Sequence, residues 1–404
     1  MMIPFSPPRI DQKMIDEVVE ALKSGWITTG PRTKKFEKQL AAYCKVPAMV
    51  CLSSATAGLE LMLRWFGVKE GDEVVLPAYT YSATANVVIH CGARPVLVDA
   101  GDDFNIHVSL LREAITSRTK VIMPVDIGGW PCNYDAIMQL VNQPEVKSLF
   151  NPGNDVQQKL GRIMVLSDAA HSLGATYNGI KTGALADATV FSFHAVKNLT
   201  TAEGGAIALN FPAPFKNEEL YSCLCIYSLH GQNKDALAKM QKGNWKYDII
   251  TAGYKCNMTD LQAALGLVEL QRYDDDTLIK RKQVCRFYAD FFKTKKWAEV
   301  PVQSSGERES SYHLFQLLIK GITEQQRDRI ITGIFNRDVS VNVHFIPLPL
   351  LSFYKNQGYR MEHYPNAYQL YSREISLPVF YDLTDEQLNR VVNAVADSVE
   401  EEIC

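Results

Sequence analysis

The chain has 404 residues, of which 47% are hydrophobic, and its formal net charge at neutral pH is −3. This length allows one large and one small domain, each with its own core. The small net charge and the lack of a basic run argue against a nucleic-acid partner. No apolar run reaches the roughly 18 residues of a membrane span, and the N-terminus lacks the pattern of a secretory signal. We therefore expect a cytoplasmic protein whose substrates are small molecules.

Nine cysteines are scattered along the chain, and no two of them form a C-x-x-C pair. Their odd number and irregular spacing suit neither a disulfide framework nor a zinc site nor an iron–sulfur cluster. We expect reduced thiols and no bound metal.

The first quarter of the chain begins with a Pro-rich arm (Pro4, Pro7, Pro8), followed by two amphipathic helices. A strand at 48–52 then leads through a small-residue loop, 53–58, into another helix. Free backbone N–H groups at such a helix start favour a phosphate. An ordinary N-cap serine or threonine explains the same pattern, so both interpretations stay open here.

The next strand, 73–77, is followed by Tyr79 and Tyr81. An aromatic side chain just after a strand end can stack on a planar ring, although an ordinary core position is the alternative. From residue 95 onwards strands and helices alternate, which predicts a parallel sheet with crossover helices. Residues 146–161 are polar and irregular, and we expect a surface excursion there.

Three short apolar runs, 163–166, 188–193 and 206–209, are typical of buried strands in a parallel sheet. Asp168 follows the first run and Lys197 follows the second. Both residues are therefore predicted just beyond the carboxyl ends of strands, where open α/β sheets bind their ligands.

This pair of residues indicates a specific chemistry. A lysine at the edge of an apolar site loses its proton easily and can form a Schiff base with a carbonyl. A buried carboxylate can pair with a pyridinium nitrogen and keep a pyridoxal ring protonated. Lys197 alone would be read as a solvated loop residue and Asp168 alone as a turn former, but together they predict a pyridoxal site.

The segments SDAAHSLGA (167–175) and FSFHAVKNLTTAEGGA (191–206) resemble the DegT/DnrJ/EryC1/StrS sugar aminotransferases, a family of fold-type-I pyridoxal-phosphate enzymes. The resemblance implies an α/β fold with a mostly parallel seven-stranded sheet in a large domain and a small α+β C-terminal domain. We place the large, cofactor-binding domain and its N-terminal arm at 1–258. The linking helix and the small domain follow at 259–404.

The resemblance also implies a cofactor, pyridoxal 5'-phosphate, and roles for individual residues. Lys197 would be the Schiff-base lysine and Asp168 the partner of the pyridine nitrogen. The other cofactor-binding residues would be Tyr81 stacked on the ring, His171 against the ring or its phenolic oxygen, and Ala55, Thr56 and Ser192 at the phosphate.

The segment GYKCNMTDLQAA (253–264) resembles a family segment in which a polar side chain reaches the cofactor phosphate of the partner subunit. Asn257 is our candidate for this contact, with Lys255 as the open alternative. We expect a homodimer with shared active sites, and the Lys-rich helix at 234–242 lies in the region that approaches the neighbour. His313 and His344 are expected to be hydrogen-bonded core residues.

The C-terminal part is predicted to begin with one long helix, 259–288. Strands at 311–319, 339–347 and 375–378 and a final helix follow it.

The resemblance implies transfer of an amino group from L-glutamate or glutamine to a nucleotide-linked keto-sugar, in amino-sugar and cell-surface polysaccharide biosynthesis. An aminotransferase for a cyclitol or another small ketone shares every motif. A pyridoxal-dependent sugar dehydratase is disfavoured by Lys197, and a regulator without turnover by the intact Lys197/Asp168 pair. The acceptor, the ring position and the stereochemistry stay open.

Overall fold

A seven-stranded sheet organises the computed structural model, which describes residues 2–234 and 245–403. Its strands are β1 (Ala48–Leu52), β2 (Glu73–Pro77), β3 (Arg94–Val98), β4 (Thr119–Ile122), β5 (Met164–Asp168), β8 (Ala188–Ser192) and β9 (Gly205–Leu209). Between β5 and β8 the chain forms a short hairpin of β6 (Thr176–Tyr177) and β7 (Ile180–Lys181) outside this sheet. The strand order is β1-β9-β8-β5-β4-β2-β3. The predicted fold class is confirmed.

Strand β9 is the exception to the parallel arrangement, because it runs antiparallel to both β8 and β1. The pairs β2–β3, β2–β4, β4–β5 and β5–β8 are parallel. The sequence suggested a parallel β9, and this was wrong. The segment between β8 and β9 contains no crossover helix, so the chain can only return in the opposite direction.

Both faces of the sheet are buried, and successive strand residues alternate between two cores. In β1, Val50 and Leu52 belong to the core under the crossover helices. Met49 and Cys51 point to the other side, where the helices at 31–44 and 260–271 cover the sheet. This two-sided burial explains the continuous apolar runs of the sequence.

Fifteen helices are described. Their bounds are Gln12–Lys23, Pro31–Cys44, Ala55–Trp65, Ser82–His90, Val108–Ala114, Tyr134–Asn142, Pro144–Leu149, Asp155–Leu160, Asn217–Ser228, Asp260–Gln271, Leu278–Phe292, Glu324–Asn336, Ser352–Asn356, Pro365–Tyr371 and Asp385–Ile403. None of the described helices is long and apolar enough to cross a membrane. The eight cysteines in the described ranges are free thiols.

Residues 146–161, which looked irregular in the sequence, contain helices. The stretch 146–161 holds most of one short helix and all of another, and Val146 and Gln157 are buried. These helices are too short to show a helical period in the sequence. The helix Asn217–Ser228 buries Leu220 and Leu224 in the main core. Lys239 and Lys242 of the predicted Lys-rich helix lie outside the described residues.

The long linking helix is broken by a π-helical turn, Tyr273–Thr277, between Asp260–Gln271 and Leu278–Phe292. Thr259 and Gln262 form the capping box at its start. The carboxylate of Asp260, the first residue of this helix, accepts hydrogen bonds from the N–H groups of Gly30 (2.8 Å) and Thr33 (2.9 Å) at the start of another helix.

The C-terminal part has its own hydrophobic cluster around the strands β10 (Ala298–Glu299), β12 (Phe315–Ile319) and β13 (Glu374–Leu377), and Ile3 of the N-terminal arm belongs to it. Strand β11 (Arg308–Glu309) pairs with β6 instead. The division of the chain at residues 258 and 259 stays a prediction.

Two predicted strands of this part need correction. The first begins only at Phe315, because the N–H groups of Ser311 and Leu314 donate to Gly129 and Gly128. The second, at 339–347, is not a strand and forms only isolated bridges. The carbonyl of His344 accepts side-chain hydrogen bonds from Tyr79 (2.7 Å) and Gln316 (2.9 Å), so a strand ladder cannot use it.

The buried ion pair between Arg162 and Asp187 yields a stability prediction. The pair joins the starts of β5 and β8 through two hydrogen bonds of 2.8 and 2.7 Å, and the two residues are 6% and 1% exposed. Asp187→Asn leaves a buried guanidinium without its counter-charge, so we expect a loss of about 3 kcal/mol or more in the free energy of unfolding, measured in urea.

Asp290→Asn is the matched control, because Asp290 pairs with Arg286 at 3.9 Å on the surface. We expect it to cost less than about 0.5 kcal/mol. Equal effects of the two substitutions would contradict the structural role of the buried pair.

Candidate active site

A cavity of about 360 Å³ opens at the carboxyl edge of the sheet. The parallel strands β2, β4, β5 and β8 end here, and the loop after β1 reaches the same place. Since β9 runs in the opposite direction, its first residues also lie at this edge. The predicted site residues that line the cavity are Ala55, Thr56, Tyr81, Asp168, His171, Ser192 and Lys197.

Asp168 is the last residue of β5, and its carboxylate is held by two donors. The hydroxyl of Thr84 donates to Oδ2 (2.8 Å) and the N–H of Ala170 donates to Oδ1 (3.2 Å). Burial raises the pKa of Asp168, while these hydrogen bonds and the charge of Lys197 oppose the rise. The result is an oriented carboxylate that can pair with a cationic ring nitrogen.

Thr84 was missed by the sequence analysis. It lies in the helix that follows β2, and nothing in its local sequence distinguishes it from a core threonine.

Lys197 lies in the loop after β8, where its N–H donates to the carbonyl of His194 (2.9 Å). Burial lowers the pKa of the Lys197 amine to about 8, and the negative charge of Asp168 opposes this shift. A substantial fraction of the amine is therefore neutral near pH 8, as a nucleophile that attacks carbonyls must be.

The start of the helix Ala55–Trp65 forms one end of the cavity. The side chain of Ser54 caps the helix by accepting from the N–H of Ala57 (3.1 Å). The N–H groups of Ala55 and Thr56, in the first turn, have no partner within the helix, and both residues line the cavity. The serine cap and the anion site, which the sequence left as alternatives, are thus compatible.

Gly205 makes this end of the cavity possible, and the sequence analysis did not single it out. A Cβ atom at Gly205 would lie 2.4 Å from the backbone nitrogen of Ala55 and 2.5 Å from the carbonyl carbon of Ser54. Only glycine allows the start of β9 to approach the helix so closely. The Glu203-Gly204-Gly205 turn of the sequence carried the signal.

Aromatic rings line another wall of the cavity. Tyr81 is 61% exposed, and its ring centroid lies 5.6 Å from that of Phe345. The His171 ring packs 5.7 Å from Phe345 and 4.4 Å from His313. The N–H of Gly128 donates to Nδ1 of His171 (3.2 Å). Phe345 is a third residue, after Thr84 and Gly205, that was not predicted from the sequence.

His313 and His344 both have hydrogen-bond partners, as expected, but they also line the cavity. Nδ1 of His313 pairs with Oδ1 of Asn198 (2.8 Å), and Nδ1 of His344 pairs with Oγ of Ser376 (2.9 Å). Burial lowers the pKa of His171 and His313 well below the usual value and that of His344 to about 3. This wall is therefore uncharged at neutral pH.

Asn257 does not line the cavity formed by its own chain. Its amide donates to Oγ1 of Thr29 (2.5 Å), and its carbonyl oxygen accepts a hydrogen bond from Nζ of Lys255. The neighbouring Cys256 carbonyl accepts from the N–H of Ser53, beside the helix start described above. A role of Asn257 or Lys255 in a partner's site stays a prediction.

Residues 8–151 and 154–396 match the DegT/DnrJ/EryC1/StrS aminotransferase family. The chain is 37% identical to the spore coat polysaccharide biosynthesis protein SpsC of Bacillus subtilis, over 98% of this chain and 97% of that protein. A putative sugar aminotransferase of Streptococcus pneumoniae, in its PMP form, has a TM-score of 0.95 at 46% identity over 99% of this chain and 100% of that one.

The same S. pneumoniae protein in its PLP form also has a TM-score of 0.95, at 43% identity and with both chains fully covered. Helicobacter pylori PseC, an aminotransferase involved in pseudoaminic acid biosynthesis, has a TM-score of 0.86 at 27% identity over 99% of this chain and 100% of that one.

The fold and the cavity define an aminotransferase of the α/β class. This chain belongs to the DegT/DnrJ/EryC1/StrS aminotransferase family. The resemblance noted in the sequence is thereby confirmed.

The lowered pKa of Lys197 yields a pH prediction for cofactor-free protein. Labelling of Lys197 by acetic anhydride, read by mass spectrometry against surface lysines, should rise with pH and reach half its plateau near pH 8. Asp168 favours the protonated amine, so Asp168→Asn should move this midpoint to lower pH. A midpoint that stays in place would contradict the electrostatic coupling of the two residues.

Proposed function

We propose that this enzyme moves an amino group from L-glutamate, or glutamine, to a nucleotide-linked keto-sugar in amino-sugar and cell-surface polysaccharide biosynthesis. The observation that carries the proposal is that Lys197 and Asp168 line the same cavity at the carboxyl edge of the sheet. The cofactor is pyridoxal 5'-phosphate, in agreement with the PLP and PMP forms of the S. pneumoniae neighbour.

The residues present fit this cofactor. Lys197 offers an amine to its aldehyde, Asp168 a carboxylate to its ring nitrogen, and Tyr81 an aromatic face. The N–H groups of Ala55 and Thr56 suit its phosphate, with the Ser192 hydroxyl on the same cavity. When bound, the cofactor supplies an electron sink for the carbanion formed at the substrate carbon.

Asp168 acts by holding a proton on the ring nitrogen. Its two oxygens have different donors, Thr84 and the N–H of Ala170, so the carboxylate cannot rotate freely. A nearby cation favours the charged carboxylate, and the charged carboxylate favours a protonated ring nitrogen in return. Asp168 thereby maintains the cofactor in its electron-withdrawing state.

Lys197 acts first as the nucleophile and then as the acid–base group. With the cofactor bound, the free Lys197 amine would take a proton from the substrate α-carbon as a base and return it as an acid, and the cofactor would supply the electron sink. A general base works best when its pKa is near the operating pH, and a pKa of about 8 meets this condition.

The acceptor class is supported by the relatives and by the uncharged wall of the cavity. SpsC and PseC are both named for the biosynthesis of carbohydrates. Neutral histidine and aromatic rings suit an acceptor with an uncharged sugar ring better than an acceptor that carries a carboxylate. A homodimer, in which Asn257 or Lys255 reaches the neighbouring site, and a cytoplasmic location that fits the free thiols complete the proposal.

The absorbance spectrum of the purified protein tests the core of this proposal. The visible band of lysine-bound pyridoxal 5'-phosphate should be replaced by the near-ultraviolet band of pyridoxamine 5'-phosphate when excess L-glutamate is added. Lys197→Ala should lack the lysine-bound band and this response. No visible band after reconstitution would refute the assignment of Lys197, and a band that ignores both glutamate and glutamine would refute the donor.

Gly205 yields a second test, independent of turnover. In Gly205→Ala the new Cβ must displace the backbone of Ser54 and Ala55, which should weaken binding of pyridoxal 5'-phosphate at least about tenfold in an absorbance titration. Gly306→Ala is the matched control, since its Cβ meets nothing within 4 Å, and we expect unchanged affinity. If Gly205→Ala bound pyridoxal 5'-phosphate with normal affinity, the cofactor phosphate could not lie at this end of the cavity.

A further inference from the structure

The N-terminal arm, residues 2–11, passes along the cavity before the first helix begins. Phe5 and Ser6 belong to the cavity lining, although they lie far in sequence from every motif of the site. The hydroxyl of Ser6 donates to the carbonyl of Val196 (3.2 Å), directly beside Lys197. The arm is thus a wall of the active site.

Both ends of the arm are anchored. At one end, Ile3 is buried in the C-terminal core, where its N–H donates to Asp338 (2.8 Å) and its carbonyl accepts from Ser340 (3.0 Å). At the other end, Arg9 lies 3.7 Å from the ring centroid of Tyr381 and bonds Asp276 (2.7 Å).

Between the anchors, Pro4, Pro7 and Pro8 restrict the backbone, because proline fixes φ. The arm therefore presents Phe5 in a preorganised position, with little entropy left to lose when a ligand binds.

The Phe5 ring continues the aromatic wall described above. It stacks on His344 with ring centroids 5.4 Å apart and an angle of 22°, and the His344 ring lies 5.0 Å from Phe345. Phe345 in turn contacts Tyr81. A continuous row of rings thus leads from the expected cofactor face to the arm.

The side chains of this aromatic row indicate which of the expected ligands it contacts. Phe5 is apolar and His344 is neutral, so neither attracts the carboxylates of an amino donor. The cofactor phosphate is expected at the start of the helix Ala55–Trp65, where the free N–H groups lie. A sugar ring has apolar C–H faces that can pack on aromatic rings. The keto-sugar acceptor is therefore the ligand that suits the row.

We propose that Phe5 of the N-terminal arm contacts the keto-sugar acceptor and, stacked on His344, helps to determine which acceptor the enzyme takes. This inference rests on the proposed function and adds a site residue to it. Because the arm is anchored in both the C-terminal core and the π-helical turn, the acceptor contact is built into the folded chain.

The test measures the two half-reactions of the holoenzyme separately. The probes are L-glutamate for the first and, for the second, two 4-keto-6-deoxy sugars, one linked to dTDP and one to UDP. Phe5→Ala should raise the KM for the acceptor about tenfold and change kcat less than about twofold, since a binding contact is lost and no reacting group. The rate of the glutamate half-reaction should stay unchanged.

Phe5→Tyr keeps the ring and should restore the KM to near the wild-type value. Ile10→Ala is the matched control, because Ile10 lies on the same arm but is 57% exposed and does not line the cavity. It should leave the KM for the acceptor and both half-reaction rates unchanged.

Three results would overturn the inference. If the KM for the acceptor were unchanged in Phe5→Ala, Phe5 would not contact the acceptor. If both half-reactions lost the same rate and the Tm fell, the role of Phe5 would be structural. A wild-type enzyme that aminated neither sugar nucleotide would instead refute the proposed acceptor class, and the inference with it. The two failures are distinguishable because the second appears without any substitution.

Discussion

The site depends on the electrostatic pairing of Lys197 with Asp168 across two adjacent parallel strands. Each residue opposes the effect of burial on the other, so an amine and a carboxylate share a cavity that would disfavour either charge alone. The pairing requires β5 and β8 to keep their register. The buried pair of Arg162 and Asp187 joins the same two strands at their opposite ends. One ion pair thus supports the geometry in which the other pair works.

The reversed strand β9 has a direct consequence for the site. A parallel β9 would place its carboxyl end at the cavity, whereas the antiparallel strand places its start there, with Gly205 against the backbone of Ser54 and Ala55. This close approach leaves the N–H groups of the first helical turn directed at the cavity without a side chain between them. The anion site therefore depends on the antiparallel direction of β9.

Local sequence was sufficient for the main elements of the sheet, because its strands are short apolar runs bounded by small residues. The family resemblance supplied most of the proposed site residues, and all of them except Asn257 line the cavity. Local sequence failed where contacts distant in the chain decide the structure. The segment 339–347 has a strand-like pattern, but Tyr79 and Gln316 use the carbonyl of His344. Thr84 and Phe345 carry no local signal, because their importance comes only from the partners that the fold brings to them.

The same reasoning explains why the place of the arm at the cavity could not be predicted from the sequence. Its prolines marked an arm, but the motifs of the cavity lie beyond residue 50. The path of the arm is determined by Ile3 in the C-terminal core and by Arg9 near Tyr381. The segment between these two anchors passes along the cavity, and Phe5 and Ser6 line it. Since the arm is attached to the C-terminal core, a shift of that core would carry Phe5 and His344 together. The part of the wall formed by Phe5 and His344 is thus attached to the C-terminal core, through Ile3 and through the hydrogen bond between His344 and Ser376.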